Sequence, residues 1–556
     1  MVKTTAQLWR ALASLLSGAI LASCFPPSPS GEAAYLALVP LIVLTRFSSV
    51  RQSFFWGWIS GLVLWLWTLT WLLRLADTGG PLPVVVLGWL ALSAYSALYL
   101  GAFAALSARL HAALGLSAGA PTMSRTSASL RTVLLVVLLP LVWVGLEYLR
   151  STLLTGFPWN HLGVTQYRNL AAIQVAEWGG VYAVSALIMV MNAGVALPVS
   201  DGLKAFSARK RFHFELALAL AACGAAWAWG AARSGEVRAA GADGETVRVV
   251  VVQPAISQLE KWNESSVDDV FNLLSAQSDL AMAMHPALMV WPETAVPGPL
   301  PGDPDSLAFV RRYATNGVPV LAGALEIEQT GSDEWRCWNS SFLVDTRGEL
   351  AARYRKMHLV PFGEYIPLDR LLPFLQRLSP LGISCLPGDR MTVFSVPGRK
   401  DAAFSVLICF EDAFAGLARL AVRSGARFLV NQTNDAWFDG SAGARQHMSQ
   451  CVFRCVENRV PAVRASNTGV TCFIDRNGAV SELTGARDPG APSAGFGVYA
   501  VPTAGPLPAV TRYTRLGDAG FALPCALLAA GLLYWTVRPV ALWKRWRDTG
   551  ATCDVV

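Results

Sequence analysis

Charge is the scarcest ingredient of this chain of 556 residues: only 15% are Asp, Glu, Lys or Arg, against 53% that are hydrophobic. The mean hydropathy is +0.41. An ordinary soluble domain carries about 25% charged residues, so this composition excludes a purely soluble enzyme. Dense basic tracts are lacking as well. The net charge of +7 therefore gives little footing for nucleic acid and is better explained by orientation in a membrane. The 10 cysteines are scattered. Cys451 and Cys455 share a helical face, but no partner pair completes a zinc pattern, so neither a metal site nor a cofactor is expected. A disulfide among the outward-facing cysteines is left open. Internal repeats and low-complexity tracts are absent too.

What the chain has in abundance is apolar runs. They cover 7–24, 33–46, 54–76, 83–108, 132–150, 172–198, 214–232 and 518–537. Most are near or above the ~20 residues that cross a bilayer core, and together they predict eight spans. In the short second run, Arg46 is expected to snorkel. Leu21-Ala-Ser-Cys24 mimics a lipoprotein signal peptide, but the continuing series of spans favours an uncleaved first helix with an unmodified Cys24. The basic residues alternate. Lys3 and Arg10, then Arg46 and Arg51, Arg109 to Arg131, Lys204 to Arg211, and Arg538 to Arg547 all fall on one side. By the positive-inside rule both termini are cytoplasmic, and the long segment between the last two spans lies outside. In a bacterium that is the periplasmic side of the inner membrane. Glu147 and Glu177 are costly in apolar spans and should pair, with Arg150 as one partner, or face water near helix ends.

That outer segment, 245–503, has a different texture. Strands are expected at VRVVVVQPA, 287–291, 319–325, 338–345, 348–355, 403–409, FLVNQ and PAVRASN, with helices at 264–284 and 441–459. Mixed elements of this kind suit one α/β domain. The domain limits are then 1–240 for seven helices, 245–503 for the α/β part, and 517–556 for the eighth helix and a tail.

Three strand ends carry chemistry. An apolar strand ends at Trp-Pro-Glu, placing Glu293 in the loop beyond it. GELAARYRK delivers Lys356 to its end. The run into Leu-Ile-Cys-Phe-Glu-Asp places Cys409 between a buried strand and a helix-like stretch, AFAGLARLAVRSG, where unpaired N–H groups favour thiolate. Taken alone, Cys409 also reads as a buried core cysteine. A carboxylate, an ammonium and a thiol together are the parts for acyl transfer through a thioester. His358 and His447 are expected to be structural, since that set is complete without them. The Gly363–Asp389 stretch, rich in Leu, Pro and Phe, reads either as core packing or as a mobile lid that touches lipid.

In this order and with these flanks, Glu-Lys-Cys resembles the nitrilase superfamily. With an outward domain held between seven helices and one, the chain resembles the apolipoprotein N-acyltransferase family. FPWNHLGVTQYRN, VVQPAISQLEKW, WPET, YRKMHLVPFGEYIP, LICFED, NQTNDAWF and QHMSQCVFRCVENRVPAVRASNTG match in order, over nearly the whole chain. The resemblance implies an α-β-β-α sandwich beside the membrane helices. It implies Glu293 as general base, Lys356 as oxyanion stabiliser and Cys409 as nucleophile. Glu364, Glu411, Trp262, Phe410 and Trp437 are implied as supporting or substrate-binding residues. Glu364 is expected to hold Lys356 or Glu293, and Phe410 departs from the Tyr that members often carry. The implied partners are a phospholipid acyl donor, a diacylglyceryl apolipoprotein acceptor and the bilayer, with the chain acting as a monomer. A membrane-tethered carbon–nitrogen hydrolase with the same triad, and a non-catalytic scaffold, are the rival readings.

Overall fold

The structure is a computed structural model that describes residues 2–117, 125–202, 213–241, 244–261, 264–330, 335–367, 384–438, 440–483, 493–503 and 510–537. Trp262, and the lid candidates Leu371, Leu372, Phe374 and Leu375, lie outside the described residues.

The N-terminal part, up to Gly241, is helical where described: α1 (Val2–Ser23), α2 (Ala34–Ala37), α3 (Val39–Arg46), α4 (Val50–Thr68), α5 (Leu82–Ala113), α6 (Arg125–Thr152), α7 (Leu170–Ile173), α8 (Ala176–Gly179), α9 (Val181–Gly202) and α10 (Phe214–Gly241). Among the described residues, five helices are long and apolar enough to cross a membrane, or six if α4 and the turn Thr70–Ala76, bent by 48°, form one span. The stretch Ala34–Arg46 is shorter, and α1 is outside that set. The sixth expected run also differs. It begins at Val181, because Gly180 takes φ +69° and separates α9 from the four-residue helix before it. Small residues set the α4–α5 contact: a Cβ at Gly57 would lie 2.5 Å from the Ala104 Cβ, and one at Gly61 would lie 2.8 Å from the Ala97 Cα. Close backbone approach of this kind drives helix packing in lipid, where burial alone gives no gain. Arg46 does not snorkel. It is buried, pairs with Asp201 at 2.7 Å and donates to the Leu116 carbonyl at 2.8 Å, because α9 supplies a counter-charge.

The α/β part contains β1 (Thr246–Gln253), α11 (Gln258–Lys261), α12 (Val267–Met282), β2 (Leu288–Val290), α13 (Pro304–Thr315), β3 (Val320–Gln329), β4 (Trp335–Val344) and β5 (Leu350–Arg355). It continues with β6 (Val393–Val396), β7 (Arg399–Ile408), α14 (Ala415–Arg423), β8 (Phe428–Thr433), α15 (Gly443–Asn458), β9 (Ala462–Ser466), β10 (Cys472–Ile474), β11 (Val480–Glu482) and β12 (Gly495–Pro502), before α16 (Arg512–Leu516) and α17 (Ala522–Val537). Among the described residues two six-stranded sheets form, in the orders β12-β1-β2-β3-β4-β5 and β11-β10-β9-β8-β7-β6. Strand β1 explains its own composition. Val247, Val249 and Val251 face the core between the sheets, while Val250 and Val252 face the layer of α12 and α13. Both faces are buried, so the strand reads as a continuous apolar run rather than an alternation. The second sheet's outer face, with α14 and α15, joins the core of the membrane helices: Leu407, Leu429, Met448 and Val452 belong to the same cluster as Leu64, Trp143 and Val184. The layers are therefore helix, sheet, sheet, helix, with the last helical layer seated on the apolar bundle.

Specific contacts fix that seating. The Trp159 indole donates to Gln446 Oε1 at 2.8 Å, and Gln446 donates to the carbonyls of Pro26 and Thr68 at 3.2 and 3.1 Å. Glu177 accepts Arg459 at 2.7 Å and Arg233 at 3.1 Å. Glu147 accepts the Leu162 N–H at 2.6 Å, while Arg150 donates to the carbonyls of Phe157 and Trp159 at 2.7 and 2.6 Å. Glu147 and Arg150, both on α6, thus hold the loop that carries Trp159.

Candidate active site

Glu293 sits three residues beyond β2, Lys356 directly after β5, and Cys409 directly after β7, the first two on one sheet and the third on the other. Glu293 Oε1 accepts Asn339 Nδ2 at 2.7 Å, and its Oε2 accepts the Asn434 N–H at 2.9 Å. Lys356 is 1% exposed. Its Nζ lies 2.9 Å from Glu364 and 3.5 Å from Glu293 Oε1. Asn339 Nδ2 also donates to Glu364 at 2.8 Å, and Glu364 Oε2 accepts the Val360 N–H at 2.8 Å. One ammonium therefore lies between two carboxylates, and one amide bridges the same pair. Burial works against the Lys356 charge, but Glu364 and then Glu293 outweigh it and hold the ammonium well above its ordinary pKa. Lys356 stays protonated throughout the working range.

Cys409 does not behave as its place at the head of a helix suggests. It opens a short 3₁₀ turn, Cys409–Ala413, with φ +52°, and α14 begins only at Ala415. Burial, followed by the charge on Glu293, pushes its thiol pKa up, while Lys356 and a hydrogen bond with Thr433 pull it down by less. The resting group is a thiol that needs a base. The left-handed backbone at a non-glycine residue stores strain of the kind found at reacting centres.

The residues around Cys409 hold it from three sides. Glu411 accepts the N–H groups of Ile408, Met357 and His358 at 2.7, 2.7 and 3.0 Å, and the Tyr354 hydroxyl at 2.9 Å. It clasps the end of β7 to the residues flanking Lys356. Burial raises its pKa to about 7. Beneath the turn, His447 Nε2 donates to the Cys409 carbonyl at 3.1 Å and lies 3.0 Å from Asp412, while Nδ1 meets Asp435 at 2.9 Å. Arg464 bridges Asp412 and Asp435 at 2.8 and 2.9 Å. Burial disfavours the imidazolium, yet Asp412 and Asp435 prevail over Arg464 and raise the pKa to about 9. His447 thus sits in a buried ionic platform whose carboxylates favour its imidazolium form, with Arg464 Nη2 3.0 Å from Nδ1. His358 stacks on Phe414 at 3.7 Å and, by burial and the nearby Lys356, is lowered to about 4. Phe410 packs against Trp159 at 5.9 Å and Phe414 at 5.0 Å, so its ring joins the two parts of the molecule. Trp437 is half-buried in the turn Asp435–Phe438.

Asn339, Asn434 and Lys261 were not singled out from the sequence. Lys261 Nζ donates to the Glu293 carbonyl at 2.9 Å, and burial lowers its pKa to about 8 against the pull of Glu293 and Cys409. For Asn339 the available signal was a polar amide on a strand whose neighbours are apolar. For Lys261 it was a charge next to a Trp at the end of QLEK.

A buried carboxylate–ammonium–thiol set on a four-layer sandwich defines the class, and residues 248–489 match the carbon–nitrogen hydrolase model. Residues 17–194 match the model of the apolipoprotein N-acyltransferase N-terminal domain. An apolipoprotein N-acyltransferase of Geobacter metallireducens is 36% identical over 487 residues, covering 85% of this chain and 86% of that one. One of Gloeobacter violaceus is 33% identical over 531 residues, covering 94% and 93%. An amidase from Nesterenkonia sp. of solved structure is 18% identical, covering 47% of this chain and 92% of that chain, with a TM-score of 0.34. The chain belongs to the apolipoprotein N-acyltransferase family and is an acyltransferase; the relatives do not favour the rival hydrolase.

Proposed function

We propose that the protein moves an acyl chain from a phospholipid, through a Cys409 thioester, to the α-amine of a diacylglyceryl-cysteine at the N-terminus of an apolipoprotein. The observation that carries this reading is the seating of the reacting turn. Phe410, the residue after the nucleophile, packs on Trp159 of the apolar bundle, so the thiol is held beside the part of the molecule that meets lipid. Glu293 takes the Cys409 proton, and the thiolate attacks the ester carbonyl. Lys356 stabilises the tetrahedral oxyanion, as a fixed positive charge in a dry site does best. The intermediate collapses, the glycerol oxygen leaves with the proton from Glu293, and a lysophospholipid departs. The amine then attacks the thioester, Glu293 takes its proton, and the thiol is restored as the amide forms. Glu364 keeps Lys356 charged and placed, and Glu411 positions both strand ends.

In this reading residues 1–240 form a seven-helix membrane domain, 245–503 the catalytic domain, and 517–556 an eighth helix and tail. The catalytic domain lies on the periplasmic side of the bacterial inner membrane, both termini are cytoplasmic, and the protein works as a monomer. The alternation of basic loops supports this arrangement. Incubating the purified protein with phospholipid and a diacylglyceryl-cysteine peptide tests the chemistry. Acyl transfer to the peptide is expected; release of free fatty acid without transfer refutes the proposal in favour of hydrolysis.

A further inference from the structure

Away from the triad, two thiols meet in a small core of their own. Cys337 lies on β4, two residues before Asn339. Cys385 lies just after the described chain resumes at 384. Both are buried, their sulfurs are 3.2 Å apart, and they share a cluster with Leu359, edged by Leu325, Ile327 and Tyr365. Three backbone hydrogen bonds attach this return of the chain to the active-site frame. Cys385 N–H donates to the Glu364 carbonyl, Leu386 N–H to the Cys337 carbonyl, and Gly388 N–H to the Lys356 carbonyl, each at 2.7 Å. Either thiol can donate the hydrogen bond between them, so either can serve as the nucleophile.

We propose that Cys337 and Cys385 form a disulfide in the mature protein, and that this bond pins residues 384–388 to β4 beside the Lys356–Glu364 pair. The sulfurs need to close by only about an ångström to reach bonding distance. One of the two thiolates attacks a sulfur of a protein disulfide oxidant, giving a mixed disulfide, and the other cysteine displaces the oxidant's second thiol. One S–S bond forms as one breaks; the two protons and two electrons pass to the oxidant, which leaves as a dithiol. The inference rests on the outward placement of the catalytic domain, since such oxidants act in extracytoplasmic compartments.

Cells making the full chain are quenched in acid, their free thiols are capped with N-ethylmaleimide, and the purified protein is digested without reduction. A linked Cys337–Cys385 peptide is expected; maleimide on both cysteines overturns the proposal. A parallel Ser424→Cys variant, probed in intact cells with a membrane-impermeant maleimide against the wild type, separates the two readings. Labelling at 424 with capped Cys337 and Cys385 overturns the disulfide alone. No labelling with capped cysteines overturns the disulfide and the outward placement together. The pinning has its own readout. After reduction, the amides of Cys385, Leu386 and Gly388 should exchange at least about tenfold faster than in the oxidised protein; equal rates overturn that part.

Discussion

In the proposed mechanism, replacing Glu293 with Gln removes a base and a charge at once, and the two losses pull in opposite directions. After burial, the Glu293 charge is the largest influence raising the Cys409 pKa, so in the variant the thiol should ionise at lower pH than in the wild type. Yet nothing at 293 can then accept the proton. A positioned general base is worth ~10²–10⁴ in rate, or about 3–5 kcal/mol of barrier. Thioester formation at pH 7 should fall by that factor. It should climb about tenfold per pH unit as solvent supplies the thiolate, until the thiol has titrated. The geometry should survive, because Gln retains an oxygen for Asn339 Nδ2, now 2.7 Å from Glu293 Oε1, at the cost of a mismatch with the Asn434 N–H. Single-turnover acylation, followed by intact mass with phospholipid as donor, reads the rate directly. A Glu293→Gln protein that acylates at the wild-type rate at pH 7 refutes the reasoning. Glu411 could not then be the substitute base, since its oxygens already accept three N–H groups and the Tyr354 hydroxyl. Lys261, lowered to about 8, would be the group to test next.

Lys356→Ala should cut acylation by ~10²–10³, the usual loss of one oxyanion donor, measured in the same assay. Arg464→Leu leaves Asp412 and Asp435 buried with a partner removed, and should cost about 3–5 kcal/mol of stability, read as a lowered unfolding midpoint. His447 has a folded pKa of about 9, above its unfolded ~6.5, so its contribution is complete below pH 6.5 and is lost as pH rises toward 9. Unfolding free energy should fall across pH 6.5–8, and His447→Gln should flatten that slope; Lys261, lowered to about 8, acts in the opposite sense only above that pH. Reporters fused after Ala240 and after Arg545 should report outside and inside; a cytoplasmic signal from the Ala240 fusion refutes the orientation.

The parts of the site that could be read from sequence are those placed by strand ends. A buried strand must stop where its apolar run stops, so Glu293, Lys356 and Cys409 each announce a position at a sheet's rim. The groups that tune them carry no such punctuation. Asn339 sits inside β4, and its register opposite Leu325 of β3, not its neighbours in sequence, sends its amide to both carboxylates. His447 and Arg464 lie on α15 and β9 and are joined only by the packing of that helix on that sheet. The membrane part shows the same divide. Runs of apolar residues locate α5, α6 and α10, but the run expected at 172–198 crosses Gly180, where the backbone turns to φ +69°, so the long helix begins only at Val181.

The thiol at Cys409 shows most clearly why local rules stop short here. A cysteine at the head of a helix gains from the unpaired N–H groups, and that rule favours thiolate. In the folded chain the Ile408 N–H goes to Glu411 instead, the long helix starts six residues later at Ala415, and the opposite sheet brings a carboxylate whose charge opposes a second anion. The ionisation of the sulfur is therefore set first by burial and then across the sandwich, by Glu293 against Lys356, and not along the chain. That arrangement keeps the thiol protonated and inert at rest. Because Lys356 is already held between Glu293 and Glu364, moving the thiol proton onto Glu293 would leave the ammonium with Glu364 and the thiolate in place of Glu364 and Glu293. In the proposed mechanism the cost of ionising the sulfur is thus offset within the triad.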